Sequence, residues 1–236
     1  GFLGEYNGNG FTIDNLTIMA NYTPSFTYGT GSIYAAPQYG EVTGGIGMFA
    51  LVNSSPFPSF STVSGTQTGY VTAINIRNAV ITVADSNIRS ESSVLSVGGL
   101  IGVSQMTRTL TNSSFHGTIV VRTNGAAVNA GGLIGLYSQP SSDISEIVKG
   151  SIISGAVHVY GNTAVNAGAL IGIDRSNTAN YKNIVAENMT ITANGVSAEN
   201  PESYAGGLIG TTDKTEMSLI NPGVIGTSVN ANNAVG

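Results

Sequence analysis

The feature that most constrains this chain is a short apolar glycine motif that recurs along it. Gly98-Gly99-Leu100-Ile101-Gly102 returns as Gly131-Gly132-Leu133-Ile134-Gly135, as Gly168-Ala169-Leu170-Ile171-Gly172 and as Gly206-Gly207-Leu208-Ile209-Gly210. A looser relative, Ile46-Gly47-Met48-Phe49-Ala50, keeps the same order of small and apolar residues. Counted from the second small residue of each, successive units lie 52, 33, 37 and 38 residues apart. Repeats of this length mark architectures in which each unit buries its apolar face only against its neighbours. The uneven excess is expected to be loop.

Between the motifs lie stretches of alternating side chains, Asn78 to Val83, Gly117 to Val121, Gly155 to Tyr160 and Asn188 to Ala193. They are rich in Val, Ile and Thr, and no capped helical period persists for a dozen residues, so each unit reads as several short strands. Side chains alternate across a strand, which puts Met189, Ile191 and Ala193 on one face and Thr190 and Thr192 on the other. Ala79, Ile81 and Val83 likewise oppose Val80 and Thr82, and Ile119, Val121, Val157 and Val159 join the inward set. Equivalent positions are expected to stack into ladders about 4.8 Å apart. The expected fold is all-β: a β-solenoid of parallel strands with irregular loop insertions.

Glycine weakens a strand interior, so its return at one place in every unit argues for a backbone need, either positive φ or close approach of neighbouring chain. The motif reads as a tight corner followed by a short buried strand, with the last glycine turning the chain out again. Gly47, Gly98, Gly99, Gly102, Gly131, Gly132, Gly135, Gly168, Gly172, Gly206, Gly207 and Gly210 are therefore structural candidates.

At these residues the chain resembles the GLUG-motif repeat proteins, named for a Gly-Leu-any-Gly core and found in secreted and surface proteins of bacteria and protists. The segment Phe2 to Ile18, with Phe2-Leu3-Gly4, the turn Asn7-Gly8-Asn9-Gly10 and the strand Ile13-Asp14-Asn15-Leu16, is similar to the segment that opens such arrays, with Asn7 where Asp is usual. The resemblance implies a right-handed parallel β-helix and an adhesin-like, structural or filament-forming role at the cell surface or outside the cell. It spans an opening unit at 1–20 and repeat units at about 73–236, as one domain. Tyr22 to Thr43 and Asn53 to Thr72 read as insertions. Both ends look cut, since Gly1 to Glu5 starts inside the opening pattern and Asn221 to Gly236 resembles the strand region of a unit lacking its next glycine motif. A fragment of a longer chain is expected, with any secretion signal outside it.

Composition narrows the partners. Only 9% of residues are charged and the net charge is −5, so no basic stripe exists to follow a phosphate backbone or an anionic membrane. Neither nucleic acid nor direct membrane insertion is expected, and no apolar run approaches the 18 or more residues of a membrane-spanning helix. With no Cys, disulfides and thiolate metal sites are excluded. The expected partners are neighbouring repeats or subunits of the same protein, together with a glycan or a host or cell-surface protein.

Chemistry is sparse. The glycine motif lacks the Lys-Ser/Thr of a phosphate loop and precedes no helix, and several such loops in one small domain are implausible. Asp143, Asp174 and Asp213 each follow a motif, and stacking could bring Asp174 near Asp213; Asp174-Arg175 and Asp213-Lys214 more simply form a solvated charged fringe. His116 and His158 sit at different places in their units and lack a fixed carboxylate. No loop carries the ligand count of zinc or calcium, and no cofactor is expected. Sequons at Asn15, Asn21, Asn53, Asn112 and Asn188 are candidate glycosylation sites. Tyr22, Phe26, Tyr28, Tyr34, Tyr39, Phe57 and Phe60 crowd into the two insertions, where a hydrophobic lid and a recognition surface both remain open readings. The function expected is a non-enzymatic structural and adhesive spacer; the alternative is a carbohydrate-binding or carbohydrate-active β-helix.

Overall fold

The computed structural model describes residues 5–20, 42–53, 70–85, 94–105, 110–125, 127–138, 148–176, 179–195, 203–212 and 217–232. Among them there is no helix, and every strand pairing is parallel. The largest sheet, called here the long sheet, joins Thr12–Asp14 and Thr17–Ala20 to Asn75–Asp85, then Ser114–Thr123, Ile152–Gly161 and Val185–Gly195, and ends on Gly223–Ile225 and Ser228–Asn232. Two five-stranded sheets flank the glycine motifs. One carries Val42–Ile46, Val94–Gly98, Ala127–Gly131, Val165–Gly168 and Ser203–Gly206 before the corner; the other carries Phe49–Asn53, Ile101–Gln105, Ile134–Tyr137, Ile171–Asp174 and Ile209–Thr212 after it. A four-stranded sheet of Leu110–Thr111, Val148–Lys149, Ala179–Lys182 and Met217–Ile220 precedes the long strands, and Glu5–Asn7 pairs with Tyr70–Thr72.

The ladders follow the alternation in the sequence. Ile81, Ile119, Val157 and Ile191 are strand partners in consecutive units and each is fully buried. Val83, Val121, Val159 and Ala193 form the next buried row. Burying one such branched side chain contributes roughly 1.5–3 kcal/mol, so repeated rows rather than any single contact hold the sheets together. The outward row between them is Thr82, Val120, His158 and Thr192.

Positive φ marks turns that stack from unit to unit. Ala73, Asn112, Gly150, Asn183 and Asn221 each adopt it two residues ahead of a long-sheet strand. Asn112 N–H donates to the Lys149 carbonyl, Gly150 N–H to Lys182 and Asn183 N–H to Ile220, so each turn is tied to the next unit. Asparagine tolerates this conformation because its short amide bonds locally. Asn78, Gly155 and Asn188 adopt it again inside the long strands, bending them where the alternating stretches begin. In the opening turn Asn7 Oδ1 accepts from Asn9 N–H at 2.9 Å, a side-chain bond that closes the turn locally.

The glycine motif departs from expectation in its last position. The corner falls at the second glycine and the leucine, while Gly102, Gly135, Gly172 and Gly210 lie inside the returning strands instead of turning the chain out. None of the motif glycines has positive φ. Their need is space: a Cβ on Gly135 would meet Val97 N at 2.5 Å and Ser96 C at 2.8 Å, and one on Gly210 would meet Ala167 N at 2.8 Å. The two five-stranded sheets touch here backbone to backbone. Two edges of the expected insertions also prove ordered as strand, because Tyr70–Thr72 pairs with Glu5–Asn7 and Val42 opens a strand against Val94.

Candidate functional site

Asp174 overturns the reading of a solvated fringe. It closes the strand Ile171–Asp174 in a row with Ser104, Tyr137 and Thr212, and it is fully buried. Its Oδ1 accepts from Ser176 N–H at 2.9 Å and from Ser176 Oγ at 2.7 Å, while Oδ2 accepts from the Tyr181 hydroxyl at 2.6 Å. Tyr181 reaches it from the four-stranded sheet and is itself buried. Burial first, and then the Asp174 charge, holds the Tyr181 and Tyr137 hydroxyls well above their ordinary 10.0. A carboxylate with no exposed surface and three donors meets no substrate; it pins the turn from Asp174 to Ser176 against the core. Thr212 is its strand partner, and Asp213, like Asp143, lies outside the described residues.

The histidines do not converge. His116 Nδ1 bonds Ser154 Oγ in the adjacent unit, and His158 Nδ1 bonds Thr192 Oγ1 at 3.1 Å, each along its own outward row. His158 points outward, as the alternation predicts, between buried Val157 and Val159. Among the described residues no group of three or more His, Asp or Glu could hold a metal ion. Asp14 bonds Arg77 and Asn78 on the surface at 2.8 Å each, which lowers its carboxyl below the ordinary 3.8, the Arg77 bond contributing most.

What the long sheet does bring together is a shallow groove of about 320 Å³ at the C-terminal ends of its strands. Arg122, Tyr160, Asn194 and Asn232 are strand partners in four successive units and form one outward row along it. Thr123, Asn124 and the Gly161–Asn162 turn complete the lining, and none of the described residues lining it is acidic. The Arg122 guanidinium lies 4.9 Å from the Tyr160 ring centre, and His158 stacks on the same ring with centroids 6.5 Å apart. Such cation–π contact keeps the exposed Arg122 side chain in one place. Asn194 Oδ1 is enclosed without a donor among the described residues. Sequence reasoning passed over this row. Its signal was there, in residues of one outward parity at equivalent places, but only register shows that they are adjacent.

Of the candidate glycosylation sites, Asn15, Asn112 and Asn188 are exposed and all three have positive φ, Asn188 inside the strand Val185–Gly195. Asn53 ends a strand, and Asn21 lies outside the described residues. Tyr22, Phe26, Tyr28, Tyr34, Tyr39, Phe57 and Phe60 also lie outside them. In comparisons with known proteins, no family model, no curated protein and no solved structure matches the chain.

Proposed function

We propose that this chain is a right-handed parallel β-helix segment of the GLUG-motif type, serving an extracellular surface or fibre-forming protein as a spacer with an interaction face. One observation carries the reading: strands of successive units pair in parallel through the long sheet, with equivalent residues opposite one another on both sides of a β-bulge at Phe115/Gly117 and at Ser154/Gly155, an arrangement that extends by adding units. Hydroxyl and amide side chains recur in the outward rows, at Thr82, Thr192, Asn194 and Asn232, and only 9% of the chain is charged, a surface suited to contact with other polymers. A non-catalytic role accords with the burial of Asp174. The groove favours a second reading, carbohydrate binding, over carbohydrate cleavage, since none of the described residues lining it is a carboxylate that could act as acid or base.

The test joins adhesion with catalysis. Beads coated with the chain should be retained on polysaccharide-coated or cell-coated surfaces under flow, and the soluble chain should release no new reducing ends from the same polysaccharides. Absence of retention on every surface would remove the adhesive role. Reproducible cleavage would make the chain an enzyme.

A further inference from the structure

We infer that the groove of Arg122, Tyr160, Asn194 and Asn232 binds a carboxylate-bearing sugar, a uronic acid residue within an acidic polysaccharide. The inference rests on the long sheet being an interaction face and names what that face takes.

Each part of the ligand meets a matching group. A guanidinium offers parallel N–H donors that fit a carboxylate in a two-point fork. Arg122 is exposed and has no carboxylate partner among the described residues, and its stacking on Tyr160 fixes the direction in which the fork points. Apart from Tyr160 and Gly161, the other described lining residues present an amide or a hydroxyl. Asn124, Asn162, Asn194 and Asn232 each carry both donor and acceptor capacity, as the ring hydroxyls of a sugar require. Asn194 leaves an acceptor unmet, and a ligand hydroxyl would supply the missing donor once the amide turns toward it.

Spacing supports a polymer over a single small acid. Partner residues in adjacent strands repeat at about 4.8 Å, close to the advance of one pyranose along a chain, so the row from Arg122 to Asn232 follows successive rings. The overall field does not recruit such a ligand, because the chain carries a net charge of −5. Binding therefore depends on the local fork, which distinguishes this site from a general polyanion patch.

Titration of the labelled chain with tetragalacturonate, followed by amide chemical shifts, tests the assignment. Saturable shifts should centre on 122–124, 160–162 and 194, and the fully methyl-esterified tetramer should bind at least about tenfold more weakly, since it keeps the hydroxyls and loses the charge. Arg122→Gln should weaken the acid about tenfold while retaining the melting temperature, and Arg77→Gln, on the same sheet but outside the groove, should change nothing. Equal affinity for acid and ester, unchanged binding by Arg122→Gln, or no saturable shift would overturn the uronate site. Tighter binding of a sulfated oligosaccharide than of the uronate would also overturn the carboxylate assignment. Bead retention that persists while tetragalacturonate fails would leave the adhesive reading standing, so the two failures are distinguishable.

Discussion

Asp174 shows how strongly a single residue depends on what folds over it. Next to Arg175 in sequence it looks like a surface charge, yet Ser176 and Tyr181 enclose it and use both carboxylate oxygens. Hydrogen bonds to a buried charge are worth about 1.5–3 kcal/mol each, and a partner left unsatisfied adds its own desolvation cost. Asp174→Asn keeps one acceptor oxygen but turns an N–H₂ toward the turn or the Tyr181 hydroxyl, and should destabilise by about 2–3 kcal/mol in urea unfolding. A change within error would return Asp174 to the solvated fringe. The same cluster sets an alkaline limit. Tyr181 and Tyr137 ionise at higher pH in the folded chain than in the unfolded one, so the fold binds more protons above the ordinary value of 10.0. Stability should hold level from neutral pH to about pH 10 and fall as pH rises beyond it, with Tyr181→Phe flattening the fall.

At the scale of elements, the one repeat with alanine at the second motif position helps explain why glycine stands there in the others. The second motif position faces a row of the long sheet whose members are the buried Phe115, Ile153 and Ala186 and the half-exposed Val224 in register. A Cβ on Gly99 would run into the Gly132 carbonyl and the Phe115 ring, and one on Gly132 would meet the Ala169 carbonyl and, at 2.5 Å, Ile153 Cγ2. Ala169 stands in the unit where that row narrows to Ala186, and both are fully buried. Corner and sheet thus share a fixed depth, and a methyl added on one side is matched by methyls missing from the other. Ala186→Ile should overpack the interior by about 1–3 kcal/mol, and Ala169→Gly in that background should recover part of the loss with a coupling of about 1 kcal/mol. Strict additivity of the two changes would mean that they do not share the space.

For the molecule as a whole, the terminal units decide behaviour in solution. Among the described residues, Thr12–Asp14 and Thr17–Ala20 pair on one side only, with Asn75–Asp85, and Gly223–Ile225 and Ser228–Asn232 pair only with Val185–Gly195. Apolar side chains are uncovered at both places: Phe11 is 77% and Met19 74% exposed, and Ile225 is 61% exposed. Unpaired strand edges with apolar neighbours are templates for further pairing. The 24.0 kDa chain should therefore associate end to end, with a light-scattering mass that rises with concentration and is reduced by Ile225→Lys. A monomer at every concentration would mean that these edges are protected.

The repeat itself determined much of this. Alternating Val, Ile and Thr set the strands and their inward faces, since parity along a strand is a local property; Ile81, Ile119, Val157 and Ile191 are buried where alternation puts them. The return of the glycine motif likewise marked the corners. Three matters were left to tertiary structure. Why the motif needs glycine was undecided until two sheets were seen to meet backbone to backbone, at Gly135 against Val97 for instance. Asp174 could not be placed, because its burial comes from Tyr181 on another sheet. The groove was invisible, because Arg122, Tyr160, Asn194 and Asn232 are separated by 38, 34 and 38 residues and become neighbours only through register. Sequence spacing varies with loop length, whereas hydrogen-bonded strands fix which residues stand side by side, so a site assembled across units exists only once those strands have paired.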